Sequence, residues 1–72
     1  MKIPPIVEYE LRHALVKHPH RWRGNWHAMC VLGEEVLEVA WALVRGDKDN
    51  LRQEVAQVCA VCLRWLRMMG ER

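Results

Sequence analysis

Oxygen-bearing side chains are concentrated in the middle of the chain in a pattern that could hold a metal ion. The residues concerned are Glu34, Glu35, Glu38, Glu54 and Gln57. Like charges within five positions repel one another, and the sequence has no lysine or arginine over 24–44 to compensate them. Hard oxygen ligands of this kind suit Mg²⁺, with Mn²⁺ as an alternative. The pattern therefore favours a divalent metal site.

A second interpretation of the same glutamates is that they form the solvated face of an otherwise buried helix, because charged side chains are mostly exposed. A solvated face usually pairs opposite charges four residues apart, whereas Glu34 meets Glu38 at that spacing. The residue pattern leaves both interpretations open.

Helical segments are predicted to position these residues. Pro4 and Pro5 can open a first helix over 6–16, and Pro19 interrupts the helical pattern in a loop over 17–25. A second helix is predicted over 26–45 and a third over 51–69. The predicted N-caps are Asn25 for the second helix and Asp49 or Asn50 for the third, and the predicted helix ends are Gly46 and Gly70.

The third predicted helix carries an apolar stripe that we expect to be buried, with Glu54 at its border. Its members are Leu51, Val55, Val58, Cys59, Cys62, Leu66 and Met69. Cys59 and Cys62 form a CxxC pair by spacing, but inside a helix they are expected to be buried small hydrophobes rather than a redox motif.

No segment shows the alternation of a strand, so the predicted class is all-α, with a single domain over 1–72. We expect a short helix followed by a long antiparallel helical hairpin that completes a four-helix bundle by homo-oligomerisation, as a homodimer or a dimer of dimers. Trp41 and Trp65 lie in apolar helical patterns and are interpreted as core or dimer interface.

Composition excludes several classes of partner. The formal charge of +2 is too small for a nucleic-acid footprint. Residues 1–7 lack the pattern of a signal peptide, and no stretch approaches the ~20 apolar residues of a membrane span. Three cysteines lack the spacing of a zinc site. These features predict a soluble, cytoplasmic protein with neither a nucleic-acid nor a membrane partner.

The acidic pattern also resembles a known family signature. Glu34-Glu35-Val36-Leu37-Glu38, followed sixteen residues later by Glu54-Val55-Ala56-Gln57, resembles the EExxE…ExxD motif of the MazG-like, all-α nucleoside triphosphate pyrophosphohydrolases. The His18-Pro19 pair and the Ala42-Leu43-Val44-Arg45-Gly46-Asp47 turn fit that pattern as well. The resemblance covers about residues 17–67.

The resemblance implies Glu35, Glu38 and Glu54 as magnesium ligands, with Gln57 at the fourth ligand position and Glu34 binding a second metal or orienting the attacking water. Gln57 stands where the family has an aspartate, so the site loses one negative charge while keeping a carbonyl oxygen. In this respect the chain is similar to a short phage- and cassette-type branch in which glutamine is usual.

The implied reaction is attack of water between the α and β phosphates of a nucleoside triphosphate, giving a monophosphate and pyrophosphate. Metal ions would neutralise phosphate oxygens and lower the pKa of a bound water. The expected catalytic residues are Glu34, Glu35 and Glu38. The expected substrate-binding residues are Lys17, His18, Trp22, Trp26, Arg45 and Lys48, with Arg21 and Arg23 as further candidate phosphate ligands.

A second hypothesis from another class is a catalytically silent helical module for binding or assembly. The glutamine at position 57 and the short chain favour it. For Trp22 and Trp26, contact with the nucleobase competes with a purely structural role in fixing the loop onto the core.

Overall fold

The computed structural model describes residues 3–17 and 22–70. Three helices account for nearly all of them: α1 (Pro5–Lys17), α2 (Asn25–Arg45) and α3 (Lys48–Gly70). The described part of the chain has no β-strand. The predicted all-α class is therefore confirmed.

Helix α1 begins at Pro5, where the missing N–H costs nothing because the first turn has no intrahelical acceptor for it. The carbonyl of Pro4 accepts hydrogen bonds from the backbone N–H groups of Val7 and Glu8, at 3.0 and 3.1 Å. The two prolines therefore open the helix as the sequence predicts.

Helix α2 begins one residue earlier than predicted. Gly24 occupies the N-cap position with a φ of 153°, and Asn25 is already helical. The Asn25 side chain does not cap the helix, since its Oδ1 accepts a hydrogen bond from Trp65 Nε1 at 2.9 Å. The prediction of Asn25 as N-cap is wrong because this tertiary bond uses its oxygen.

The connection between α2 and α3 consists of Gly46 and Asp47. Gly46 ends α2 in the left-handed conformation, with φ 70°, as predicted. Asp47 Oδ1 accepts a hydrogen bond from the backbone N–H of Asn50 at 3.1 Å, which satisfies a donor of the first turn of α3. The N-cap of α3 is therefore Asp47, and the predictions of Asp49 or Asn50 are wrong.

Helix α3 is the central element, because it contacts both α1 and α2. Within the described residues α1 and α2 do not approach each other closely, so a groove separates them with α3 as its floor. Val7 and Leu11 of α1 pack against Ala56 and Ala60 of α3 to form a small core.

The α3 stripe that was predicted to be buried is largely exposed. Val55, Leu66 and Met69 are exposed hydrophobics, and Cys59 is exposed as well. The predictions for these residues are wrong because α1 and α2 cover the face of α3 that carries small side chains, Ala56 and Ala60. In the described range, none of the helices is both long and apolar enough to span a bilayer.

Candidate functional site

Glu54 lies inside the three-helix arrangement rather than at the border of a polar face. Its side chain is only 9 % exposed. Burial, and then the negative charges of Glu38 and Glu10, raise the pKa of Glu54, while Arg45 lowers it. A buried carboxylate surrounded by like charges is costly unless a cation or a proton neutralises it.

Glu35 is half-buried on the face of α2 that looks towards α3. Its Oε2 atom is buried and has no hydrogen-bond partner among the described residues. Burial, followed by the charges of Glu54, Glu38, Glu34 and Glu10, raises the pKa of Glu35. The acidic group is therefore not a uniformly solvated face, because one member points an unsatisfied oxygen inward.

Glu34 and Glu38 remain exposed on α2. Glu34 lines a cleft beside Glu35, and Glu38 acts electrostatically on both Glu35 and Glu54. The described structure thus places the carboxylates of Glu35, Glu38 and Glu54 within electrostatic range of one another.

Gln57 is partly buried on α3, where its Nε2 donates a hydrogen bond to Glu10 Oε1 at 3.1 Å. Gln53, one turn earlier, places its Nε2 3.5 Å from Glu10 Oε2. Glu10 belongs to α1 and is only 5 % exposed. The sequence reading did not identify Glu10.

A signal for Glu10 was available in the sequence. Glu10 follows Val7 by three residues and precedes Ala14 by four, so it lies in the middle of the apolar face of α1. A single carboxylate inside such a stripe is unusual, because charged residues are rarely buried without a partner. That position marks a functional candidate.

Two adjoining clefts occupy the groove between α1 and α2. The first has a volume of about 400 Å³ and the second about 370 Å³. Both are lined by Ala14, Glu35, Ala60 and Val61, so they meet at Glu35. The first cleft is polar, with Glu10, Gln53 and Gln57 in its wall.

The second cleft is largely apolar, and its wall also includes Trp22, His27 and Arg64. The Arg64 guanidinium carbon lies 4.7 Å from the centroid of the Trp22 ring, which is a cation–π distance. His27 Nδ1 accepts a hydrogen bond from the backbone N–H of Arg23 at 3.0 Å, which fixes the segment that carries Trp22.

The remaining predicted substrate-binding residues are dispersed. Trp26 is 85 % exposed and lines neither cleft, and Lys48 is exposed at the start of α3. Arg45 is exposed but close enough to act on Glu54. The predictions for the Lys17 side chain, His18 and Arg21 lie outside the described residues.

The side chains present fit a hard divalent cation by chemistry but only partly by geometry. A divalent cation would satisfy the unpaired Glu35 oxygen and offset the burial and the like charges that raise the pKa of Glu35 and of Glu54. Across residues 3–17 and 22–70, however, no three His, Cys, Asp or Glu side chains are gathered closely enough to hold a metal ion. A cation would therefore require side-chain movement or water-mediated contacts.

Comparisons with known proteins add no assignment to this geometry. No protein-family model matches the chain, and neither a curated protein nor a solved structure matches it. The resemblance to the MazG-like family therefore rests on the sequence motifs alone.

Proposed function

We propose that the protein is a magnesium-dependent nucleoside triphosphate pyrophosphohydrolase of the MazG-like kind, with manganese as an alternative metal. The observation that carries the proposal is Glu35, whose buried oxygen lacks a hydrogen bond at the junction of the two clefts. Glu38 and Glu54 add negative charge around it. A bound divalent cation would relieve this repulsion and would neutralise phosphate oxygens.

The two clefts differ in chemistry, and each would bind a different part of one substrate. The second cleft contains the Trp22 ring with the Arg64 guanidinium stacked over it, and a planar base would stack on this pair. The first cleft offers carboxylates and amides, which suit a cation-bound phosphate chain. Because Glu35 lies in both, the triphosphate would pass it, and the exposed Glu34 carboxylate would orient the attacking water.

The test is hydrolysis of a panel of nucleoside triphosphates with Mg²⁺, with release of monophosphate and pyrophosphate as the readout. Glu35→Gln is expected to lower kcat/KM by at least about 100-fold, because it removes a charge at the junction of the clefts. Glu8→Gln, on the exposed surface of α1, is the matched control and is expected to keep full activity.

Absence of turnover with every base would contradict the enzymatic proposal. Equal activity of the wild type and Glu35→Gln would contradict the role given to the carboxylates. Release of inorganic phosphate instead of pyrophosphate would contradict the position of bond cleavage.

We further propose that α2 and α3 form an antiparallel hairpin that completes a four-helix bundle in a homodimer. The bond from Trp65 to Asn25 supports the hairpin, because it joins the end of α3 to the start of α2, opposite the turn at Gly46. Large apolar residues on the outer side of α2 support the dimer, because exposed apolar surface of this kind favours association. Leu37, Trp41 and Val44 are each more than half exposed.

A catalytically silent binding or assembly module is the second candidate. Two features favour it: the potential metal-binding side chains among the described residues are not gathered into one group, and Gln57 is neutral. A thermal-shift scan with Mg²⁺, Mn²⁺ and nucleotides separates the two candidates, because a ligand that binds the folded state raises Tm. Stabilisation by a nucleotide together with Mg²⁺ supports the enzyme, and no shift with any of them supports the silent module. For either candidate we propose a reducing, cytoplasmic compartment, in keeping with the free cysteines.

A further inference from the structure

Glu10 is held by neutral partners in a place where a charge is expensive. Its oxygens face the amide nitrogens of Gln57 and Gln53, at 3.1 and 3.5 Å, and its residue is 5 % exposed. By contrast, the carboxylate of Glu8, on the exposed side of the same helix, pairs with Arg12 at 2.9 Å. Burial of a carboxylate against two amides alone calls for a reason beyond stability.

The bond to Glu10 decides how the Gln57 amide is turned. An amide can present either its NH₂ group or its carbonyl oxygen to a neighbour, but an ionised carboxylate only accepts hydrogen bonds. Gln57 therefore directs Nε2 towards Glu10, and the planar amide turns its carbonyl oxygen away from that carboxylate. Gln57 lines the first cleft together with Glu35.

We propose that Glu10 is a positioning residue of this site: it holds the Gln57 carbonyl oxygen towards the first cleft as a cation ligand, and it supplies from α1 the negative charge that position 57 lacks. The proposal rests on the metal-dependent function proposed above. It extends the site to a third helix, which the motifs on α2 and α3 do not include.

Electrostatics agree with this placement. After burial and the larger effects of other carboxylates, the charge of Glu10 contributes to raising the pKa of both Glu35 and Glu54. The field of Glu10 therefore reaches the two acidic residues that carry the proposed cation site, although its oxygens are bonded to amides on α3.

The test exchanges the two side chains and measures Mn²⁺ binding by electron paramagnetic resonance. Glu10→Gln is expected to weaken Mn²⁺ binding by about tenfold, as loss of an outer partner of a metal ligand does. The double variant Glu10→Gln with Gln57→Glu restores one amide and one carboxylate, with their roles exchanged, and is expected to bind within about threefold of the wild type. Glu8→Gln, a matched loss of charge on the α1 surface, is expected to bind like the wild type.

A second readout separates this proposal from the function on which it rests. In nuclear magnetic resonance spectra, the two Gln57 side-chain amide protons are expected to be slowly exchanging in the wild type and averaged in Glu10→Gln. If the wild type binds no Mn²⁺, the proposed function and the ligand role of Gln57 both fail, and these signals still decide whether Glu10 orients the amide.

Two outcomes overturn the positioning role itself. The first is a Glu10→Gln variant that loses stability in urea but binds Mn²⁺ as tightly as the wild type, because Glu10 would then be structural only. The second is a pair of Gln57 amide signals that is the same with and without the Glu10 carboxylate.

Discussion

The two sides of α2 differ in a way that reverses the usual rule of protein interiors. The inner side, towards α3, carries Ala28 and Ala42, which are both 0 % exposed, and the half-buried Glu35. The outer side carries large apolar residues in solvent, with Val44 77 % exposed and Trp41 exposed as well. Small and acidic groups are inside, and large hydrophobic groups are outside.

This difference in side-chain size indicates a separate role for each side of α2. Alanine lets two helices approach closely, but it buries little apolar area, so the inner side contributes closeness rather than a large hydrophobic gain. That closeness lets carboxylates of different helices act on one another. The outer side retains the apolar area that a second chain could cover.

The contrast between the two sides of α2 predicts that the outer side packs against a second chain. Leu37→Glu places a charge in the centre of this exposed apolar surface and is expected to weaken the proposed dimer by at least about 3 kcal/mol, since a two-fold interface contains the residue twice. Sedimentation equilibrium measures the change. Arg52→Gln changes the net charge by the same amount at an exposed position of α3 and is expected to leave the dimer intact. A wild type that sediments as a monomer at every concentration would contradict the dimer.

The inner side can be tested by overpacking. Ala42→Leu is expected to cost about 2 kcal/mol in the free energy of unfolding, because the added side chain has no space between α2 and α3. Urea denaturation monitored by circular dichroism gives the value. Ala40→Leu, two residues away on the exposed side, is the control and is expected to change stability little. Equal costs at both positions would show that the two sides do not differ in packing.

A single hydrogen bond ties the open end of α2 to α3. Trp65→Phe removes the indole donor to Asn25 and is expected to cost about 1 kcal/mol. The control is Trp26→Phe, whose ring is 85 % exposed at the start of α2. If thermal denaturation shows the same loss for both variants, ring size rather than the bond accounts for it.

The smallest effect concerns the charge on the inner side. Because the folded state raises the pKa of Glu35, the folded chain holds that proton more tightly than the unfolded chain does. Stability therefore falls as the pH rises from below the ordinary value of 4.5 through the raised value. Glu35→Gln is expected to flatten this slope and to add less than about 1 kcal/mol at pH 7, since partial exposure screens the charge. Urea titrations across the pH range measure it, and identical slopes for both proteins would refute the burial of this charge.

Local signals in the sequence predict the helices well. The opening prolines and Gly46 act within one turn of the residues they affect, so their consequences can be read without tertiary information. The predictions of the helix N-caps were wrong where a side chain had more than one possible hydrogen-bond partner. Asn25 bonds to Trp65 across the fold, and the first turn of α3 uses Asp47.

The candidate site could be predicted only in part. Spacing alone identified the carboxylates of α2 and α3, because the motif residues are close in sequence. Glu10 is separated from Gln57 by 47 positions, so only the packing of α1 on α3 brings them together. The burial of the α3 stripe was predicted wrongly because periodicity identifies an apolar face without saying whether another helix packs against it.

The groove between α1 and α2 has a consequence for how ligand binding could be observed. In the described residues each outer helix is held by α3 and not by the other, so opening of α1 leaves the contacts between α2 and α3 intact. A nucleotide filling both clefts would contact residues of all three helices and join the two outer ones. Amide hydrogen exchange along α1 would then slow on binding more than exchange along the other helices, because the bound nucleotide would suppress the opening of α1 away from α3.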